Sequence, residues 1–203
     1  MFSIRRSLAR QLGAVCRRAF GVAGCRKLEL HFQAAESDLV IRAASSQVAL
    51  EYHLSGSFEI ADFTLPCEVL AACEAKTDDP VDLRVASDGT VTACWLDHGI
   101  PHQVVSAKRP TKLSEFPSRP AQMTANEPGT LRALADASET TDSESTRYAL
   151  GCINLRGPAG SLAATNGRQL LVQNGFRFPW KDDVLVPASK LFAAREFPQE
   201  TPV

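Results

Sequence analysis

Cys94, His98 and His102 are spaced four apart, and on an unbroken helix three such residues would offer sulfur and nitrogen ligands to a zinc ion from one face. Gly99, Ile100 and Pro101 interrupt that helix, so the spacing reads as a turn between two strands, and no metal is expected. Asp97, His98 and His102 are also the nearest approach in the chain to a proton-moving group. Catalysis would further need a nucleophile and an orienting partner, and neither a Ser or Cys elbow nor a glycine-rich phosphate loop accompanies them. The chain is therefore expected to be non-catalytic and to need no cofactor. Cys16, Cys25, Cys67, Cys73, Cys94 and Cys152 are scattered singly, without a CxxC pair, and read as reduced thiols of a cytoplasmic protein.

Binding chemistry is more visible. Residues 1–28 contain Arg5, Arg6, Arg10, Arg17, Arg18, Arg26 and Lys27 and no acid. Such a segment reads either as an organelle presequence or as a structural basic helix. Phe2 and Ile4 alternate like a short strand, and Leu8, Leu12 and Val15 follow at helical spacing. The whole chain carries 22 basic and 23 acidic residues, a formal net charge of -1, so contact with nucleic acid would have to come from a local patch. At 203 residues and 44% hydrophobic content it can fill one large core or two ordinary ones. Its apolar runs fall far short of the roughly 20 residues a membrane span needs.

The elements that must position these residues emerge from an internal repeat. The string DFTLPCEVLAACE at 62–74 matches DVLVPASKLFAAR at 183–195, an offset of 183 − 62 = 121. AASSQVAL at 43–50 matches ATNGRQLL at 164–171 at the same offset, 164 − 43 = 121. Each copy predicts a short strand, a helix, several alternating strands, then a strand, a proline and a second helix. A proline at a helix start is tolerated because its missing N–H would lack an intrahelical partner there. In the second copy a strand is predicted to begin with Met123 and Ala125. A helix should cover 128–138 with Leu131, Leu134 and Ala135 inward, and strands should cover 148–155 and 161–173, with Asn166-Gly167 as a hairpin turn. Residues 108–122, rich in proline and serine, read as a linker. Two α+β domains are expected, at 1–121 and 122–203. The second is expected to be incomplete at its C-terminal side, because the first continues past its Pro-helix unit into further strands with a turn at Asp88-Gly89.

TRYALG at 146–151, ATNGRQL at 164–170 and VLVP at 184–187, with SEFP at 114–117, stand in an order and spacing that resembles the bacterial replicative sliding clamp, the β subunit of DNA polymerase III. The resemblance covers essentially the whole chain. It implies duplicated DNA-clamp domains, each with helices on one face of antiparallel sheets. It further implies a head-to-tail ring of two three-domain subunits, a homodimer that slides on duplex DNA through non-specific phosphate contacts. Arg10, Arg17 and Arg18 on the first helix and Tyr148 would supply those contacts. Ala149, Glu144 and Glu68 depart from the family's DNA-facing pattern. The resemblance also implies a hydrophobic groove that takes short peptides from the polymerase III catalytic subunit, the clamp loader and repair proteins. Arg147, Leu150, Thr165, Gly167, Arg168, Gln169 and Leu170 match its lining, with Gln169 in place of the usual arginine. The expected function is that of a processivity factor. A clamp-like interaction protein that binds replication peptides without encircling DNA is the alternative.

Overall fold

The computed structural model describes residues 2–46, 48–106, 116–118, 121–142 and 148–194. They fall into two compact units, Met1–Ser118 and Arg119–Val203.

In unit 1 the basic amino-terminal segment is built into the fold. Phe2–Arg5 form strand β1, whose Phe2 and Ile4 are buried and which pairs antiparallel with β6, Pro80–Val85. Helix α1, Arg6–Cys25, follows at once and buries Leu8, Ala9, Leu12, Val15 and Cys16 along one stripe. The helix is broken at Gly21, whose φ of 70° and ψ of 165° suit a residue without Cβ. Strands β2 (Glu29–Ala34), β3 (Asp38–Ala44), β4 (Ala49–Ser55) and β5 (Ala61–Pro66) form a sheet of order β4-β3-β2-β5. Pro66 ends β5 and takes the cap position of α2, Cys67–Cys73, one residue earlier than a first helical position. Strands β7 (Val91–Asp97) and β8 (Ile100–Ser106) complete a second sheet of order β1-β6-β7-β8. The two sheets and two helices enclose one core that includes Phe2, Leu12, Leu30, Phe32, Ile41, Phe63, Leu65, Leu83 and Ala93.

Among the described residues, Arg6 is the one charged side chain buried in that core, only 7% exposed. Its Nε donates to the Cys73 carbonyl at 2.9 Å, and an Nη donates to Leu96 O at 3.3 Å and to Asp97 Oδ1 at 3.0 Å. One guanidinium thereby ties the start of α1 to the end of α2 and the end of β7. The hydrogen bond from Arg6 holds the Asp97 carboxyl below the usual carboxylate range. A depressed carboxylate contributes stability that is present above its unfolded value, about 3.9, and is lost as pH falls through the lower folded value. Urea titrations from pH 7 down to 2 are thus expected to show an acid-side loss that Asp97→Asn reduces. An unchanged pH profile in that variant would contradict this role.

Unit 2 repeats the first sheet. Strands β9 (Cys152–Arg156), β10 (Ser161–Thr165), β11 (Leu170–Asn174) and β12 (Asp183–Pro187) are ordered β11-β10-β9-β12, the counterpart of β4-β3-β2-β5. The β3–β4 register recurs at the 121-residue offset, since Val40↔His53 corresponds to Ser161↔Asn174. Strand β9 instead follows β2 at 123, since Glu29↔Pro66 corresponds to Cys152↔Pro187. Helix α3, Thr130–Thr140, packs on the sheet face that carries Ile153, Leu155, Leu162 and Ala164.

Four details differ from expectation. Residues 122–127 form no strand, whereas their counterpart β1 is held by β6. Helix α3 starts two residues late, after Gly129 at φ 84°, and buries Thr130, Ala133 and Ala137, with Leu131 and Ala135 only half-buried. Small alanines let its backbone approach the sheet. Residues Tyr148–Gly151 form a 3₁₀ turn before β9: the Leu150 carbonyl accepts from Asp142 N at 2.8 Å, and only at Gly151, whose carbonyl accepts from Ala188 N at 3.0 Å, does pairing with the β12 side begin. After Pro187 the described chain forms a 3₁₀ turn, Lys190–Ala193, in place of a full α-helix. Most of the expected linker, 108–122, lies outside the described residues.

Candidate functional site

The strand register separates Cys94 from His102, while Asp97 and His98 stay in contact, Oδ1 to Nδ1 at 3.2 Å. Asp97 pairs with Ile100 across a two-residue turn in which His98 and Gly99 have φ of 49° and 81°, the left-handed pair of a tight hairpin. Cys94 pairs with Gln103 and Trp95 with His102, so Cys94 and His102 project from opposite faces of the sheet. His102 stacks on Trp95 with ring centroids 5.6 Å apart, Asp97 is engaged by Arg6, and His98 is exposed.

In unit 2 the Asn166-Gly167 turn is held by its own side chains. Asn166 Oδ1 accepts from the backbone N–H groups of Arg168 and Gln169, both at 2.9 Å. The Thr165 hydroxyl donates to Gln169 O at 2.6 Å and accepts from Gly167 N at 3.0 Å. Gly167 has φ 85° and open space where a Cβ would point. With the turn fixed internally, Arg168, Gln169 and Leu170 face outward, and Leu170 is 70% exposed. Leu170 pairs with Thr165, and the β9–β10 and β9–β12 registers bring Cys152 and Pro187 to the same end of the sheet. Leu150, half-buried and two residues before Cys152, therefore joins that end. Arg147 lies outside the described residues, as does the side chain of Tyr148.

The sheet register reveals a row that motif reading missed. Val172, Ala163, Asn154 and Leu185 pair consecutively across all four strands, on the face opposite α3. Leu170 lies on that face too, because it alternates with Val172. Val172 and Leu185 are 49% and 46% exposed. Asn154 Oδ1, shielded from solvent, has no hydrogen-bond partner among the described residues. The matching row of unit 1 is Glu51, Arg42, His31 and Thr64. There the face is polar and internally paired, with Arg42 to Glu51 at 2.7 Å and His31 to Asp62 at 2.8 Å. The repeated scaffold thus presents a polar, paired row in unit 1 and a largely apolar one in unit 2, with an Arg156–Asp183 pair at 3.9 Å at the far end of that face. The sequence signal was the continuous apolar run of Leu170, Leu171 and Val172, which is apolar on both faces of a strand where one alone would be buried.

The basic candidates lie on α1 at positions 10, 17 and 18, off the buried stripe. Arg10 is exposed and Arg18 half-buried. Arg17 reaches Glu74, just past α2, at 3.4 Å. That pairing screens part of the patch, and Glu68 on α2 is exposed. No helix among the described residues is long and apolar enough to cross a membrane.

No family profile and no curated protein matches the sequence. Solved structures do. A Helicobacter pylori beta clamp bound to a DNA ligase peptide superposes with a TM-score of 0.67 at 13% identity, over 98% of this chain and 59% of that one. The DNA polymerase III subunit beta of Pseudomonas aeruginosa gives 0.64 at 18% identity, over 92% and 53%. The DNA polymerase III beta chain of Streptococcus pneumoniae gives 0.67 at 12%, over 92% and 54%. This chain spans between half and three-fifths of the length of those clamps. Over nearly its whole length, it has the α+β fold of the bacterial DNA polymerase III β clamps.

Proposed function

We propose that this chain serves as a DNA sliding clamp, a non-catalytic processivity factor that tethers the replicative polymerase to duplex DNA, with units 1 and 2 as clamp domains one and two. The observation that carries this reading is the duplicated four-stranded sheet whose order and register repeat within a clamp fold. The apolar outer face of unit 2 fits a short linear peptide. Leu170 and Val172 can cover an apolar anchor. Peptides of this kind would come from the polymerase III catalytic subunit, the clamp loader and repair proteins, and a full-length subunit would close as a homodimer ring in the cytoplasm. Arg10, Arg17, Arg18 and Tyr148 would face DNA, and Arg147, Leu150, Thr165, Gly167, Arg168, Gln169 and Leu170 the peptide.

A second reading, a clamp-like protein that recruits peptides without encircling DNA, is favoured by the Arg17–Glu74 pair and by Glu68 beside the basic helix. Salt dependence separates the two. Three arginine–phosphate contacts would give log K against log salt a slope near −2.7, from about −0.9 per contact. Glu74→Gln should strengthen duplex binding a few-fold by releasing Arg17. A slope near zero with an undisturbed peptide response would leave only the recruiting role.

A further inference from the structure

Three cysteines meet in the core of unit 1. Cys25 closes the short segment that follows the Gly21 break in α1, and Cys67 is the first residue of α2. Their sulfurs stand 2.8 Å apart, within about 1 Å of the ~2.04 Å of a disulfide bond. The backbone holds them in place. Cys67 N donates to Leu28 O at 2.9 Å, and Leu28 N donates to Cys25 O at 3.1 Å, so the chain after Cys25 is strapped to the start of α2. Cys16 hydrogen-bonds to Cys67 from α1. All three are free thiols in this structure.

We propose that Cys25 and Cys67 form a dithiol modification site, which closes to an intramolecular disulfide by exchange with a low-molecular-weight disulfide. The thiolate of Cys25 attacks one sulfur of the small disulfide. A mixed disulfide forms on Cys25, and the other half leaves as a thiolate that takes up the proton Cys25 released. The Cys67 thiolate then attacks the Cys25 sulfur and expels the second half, which leaves likewise as a thiol. Two protein thiols and one small disulfide thus become one protein disulfide and two small thiols, with no further oxidant.

Entry runs through the helix break. Residues 21–24 are exposed, with Val22 at 61%, while Cys25 and Cys67 are 6% and 2% exposed. Because α1 has already departed from helical geometry at Gly21, the turn carrying Cys25 can lift without unwinding the stripe from Leu8 to Cys16. Cys25 lies on that turn and so reacts first. Burial, reinforced by the neighbouring Cys67, pushes the Cys25 thiol up to about 12, and the hydrogen bond with Cys16, together with burial, pushes Cys67 up as well. Both thiols are therefore protonated near neutral pH, and exchange should be slow there and quicken about tenfold per pH unit between 7 and 9. This inference rests on unit 1 alone and does not depend on the clamp reading.

The test uses the full 203-residue chain, oxidised glutathione as the probe, alkylation after denaturation, and tryptic mapping without reduction. Cleavage puts Cys16 in peptide 11–17, Cys25 in 19–26, and Cys67 with Cys73 in 43–76. Peptide 19–26 joined to 43–76 is expected, two hydrogens lighter than the sum, with fragmentation placing the bond at Cys67 and with Cys16 alkylated. In Cys67→Ala, glutathione should instead remain on Cys25. Recovery of both Cys25 and Cys67 as alkylated thiols from the wild-type protein after exposure at pH 9 overturns the proposal. A bond from Cys67 to Cys16, or a glutathione adduct persisting on wild-type Cys25, overturns it as well.

Discussion

Leu170→Asp is expected to weaken binding of a leucine- or aromatic-anchored clamp-binding peptide by roughly 10- to 150-fold while leaving unit 2 folded. Leu170 is 70% exposed, and the turn before it is held by Thr165 and Asn166 side chains, so little of the fold depends on it. Surface replacements of that kind shift stability by about 0.5 kcal/mol or less. A buried apolar anchor, by contrast, contributes about 1.5–3 kcal/mol, and a carboxylate placed against it removes that burial and must itself be desolvated. Amide shifts of Gly167 and Leu170 on peptide titration, with calorimetry for Kd, measure the effect. Arg168→Ala should change Kd much less, because rim charges are screened. An undiminished affinity in the folded Asp variant would remove this sheet end from the binding site.

Phe32→Ala should destabilise unit 1 by about 3–5 kcal/mol, a large part of the 5–15 kcal/mol that holds a typical domain folded. Phe32 is fully buried in β2 and central to an aromatic cluster. Its ring stacks on Phe63 at 5.1 Å and meets the edge of Phe2 at 6.4 Å. Truncation removes the transfer energy and leaves a cavity beneath β2, which is paired on both sides by β3 and β5, so collapse is limited. Each unit holds one tryptophan, buried Trp95 in unit 1 and Trp180 in unit 2, so urea unfolding of a Trp180→Phe background reports unit 1 by fluorescence. A midpoint within experimental error of the parent would show that the aromatic cluster is not where unit 1 keeps its stability.

Much of this architecture was readable in the chain. The 121-residue repeat, the strand-proline boundary at Pro66 and Pro187, the Asn166-Gly167 and Asp88-Gly89 turns and the stripe of Leu8, Leu12 and Val15 are all local signals, set by φ preferences and by periods of 2 and 3.6 residues. The same local rules ruled out a helix through Cys94, His98 and His102, where the turn indeed falls at His98 and Gly99. They did not distinguish a core role for Leu170 from a surface one; that Thr165, Gly167 and Leu170 should face outward was implied by the family resemblance alone.

Other features depended on partners distant in sequence. Periodicity predicted a strand at Met123 and Ala125 that the structure does not form, since a strand exists only where another satisfies its N–H and C=O groups. It placed Leu131 and Ala135 of α3 inward, but the face that packs is chosen by how closely the sheet can be approached, and Ala133 and Ala137 occupy it. Arg6 was one basic residue among seven until folding surrounded it with the Cys73, Leu96 and Asp97 oxygens. Alternation alone showed that Leu170 and Val172 share a face, but not that Ala163, Asn154 and Leu185 extend it across four strands. That row, and its contrast with Glu51, Arg42, His31 and Thr64, arises from pairing register, a property of which strands meet and not of any one strand's residues.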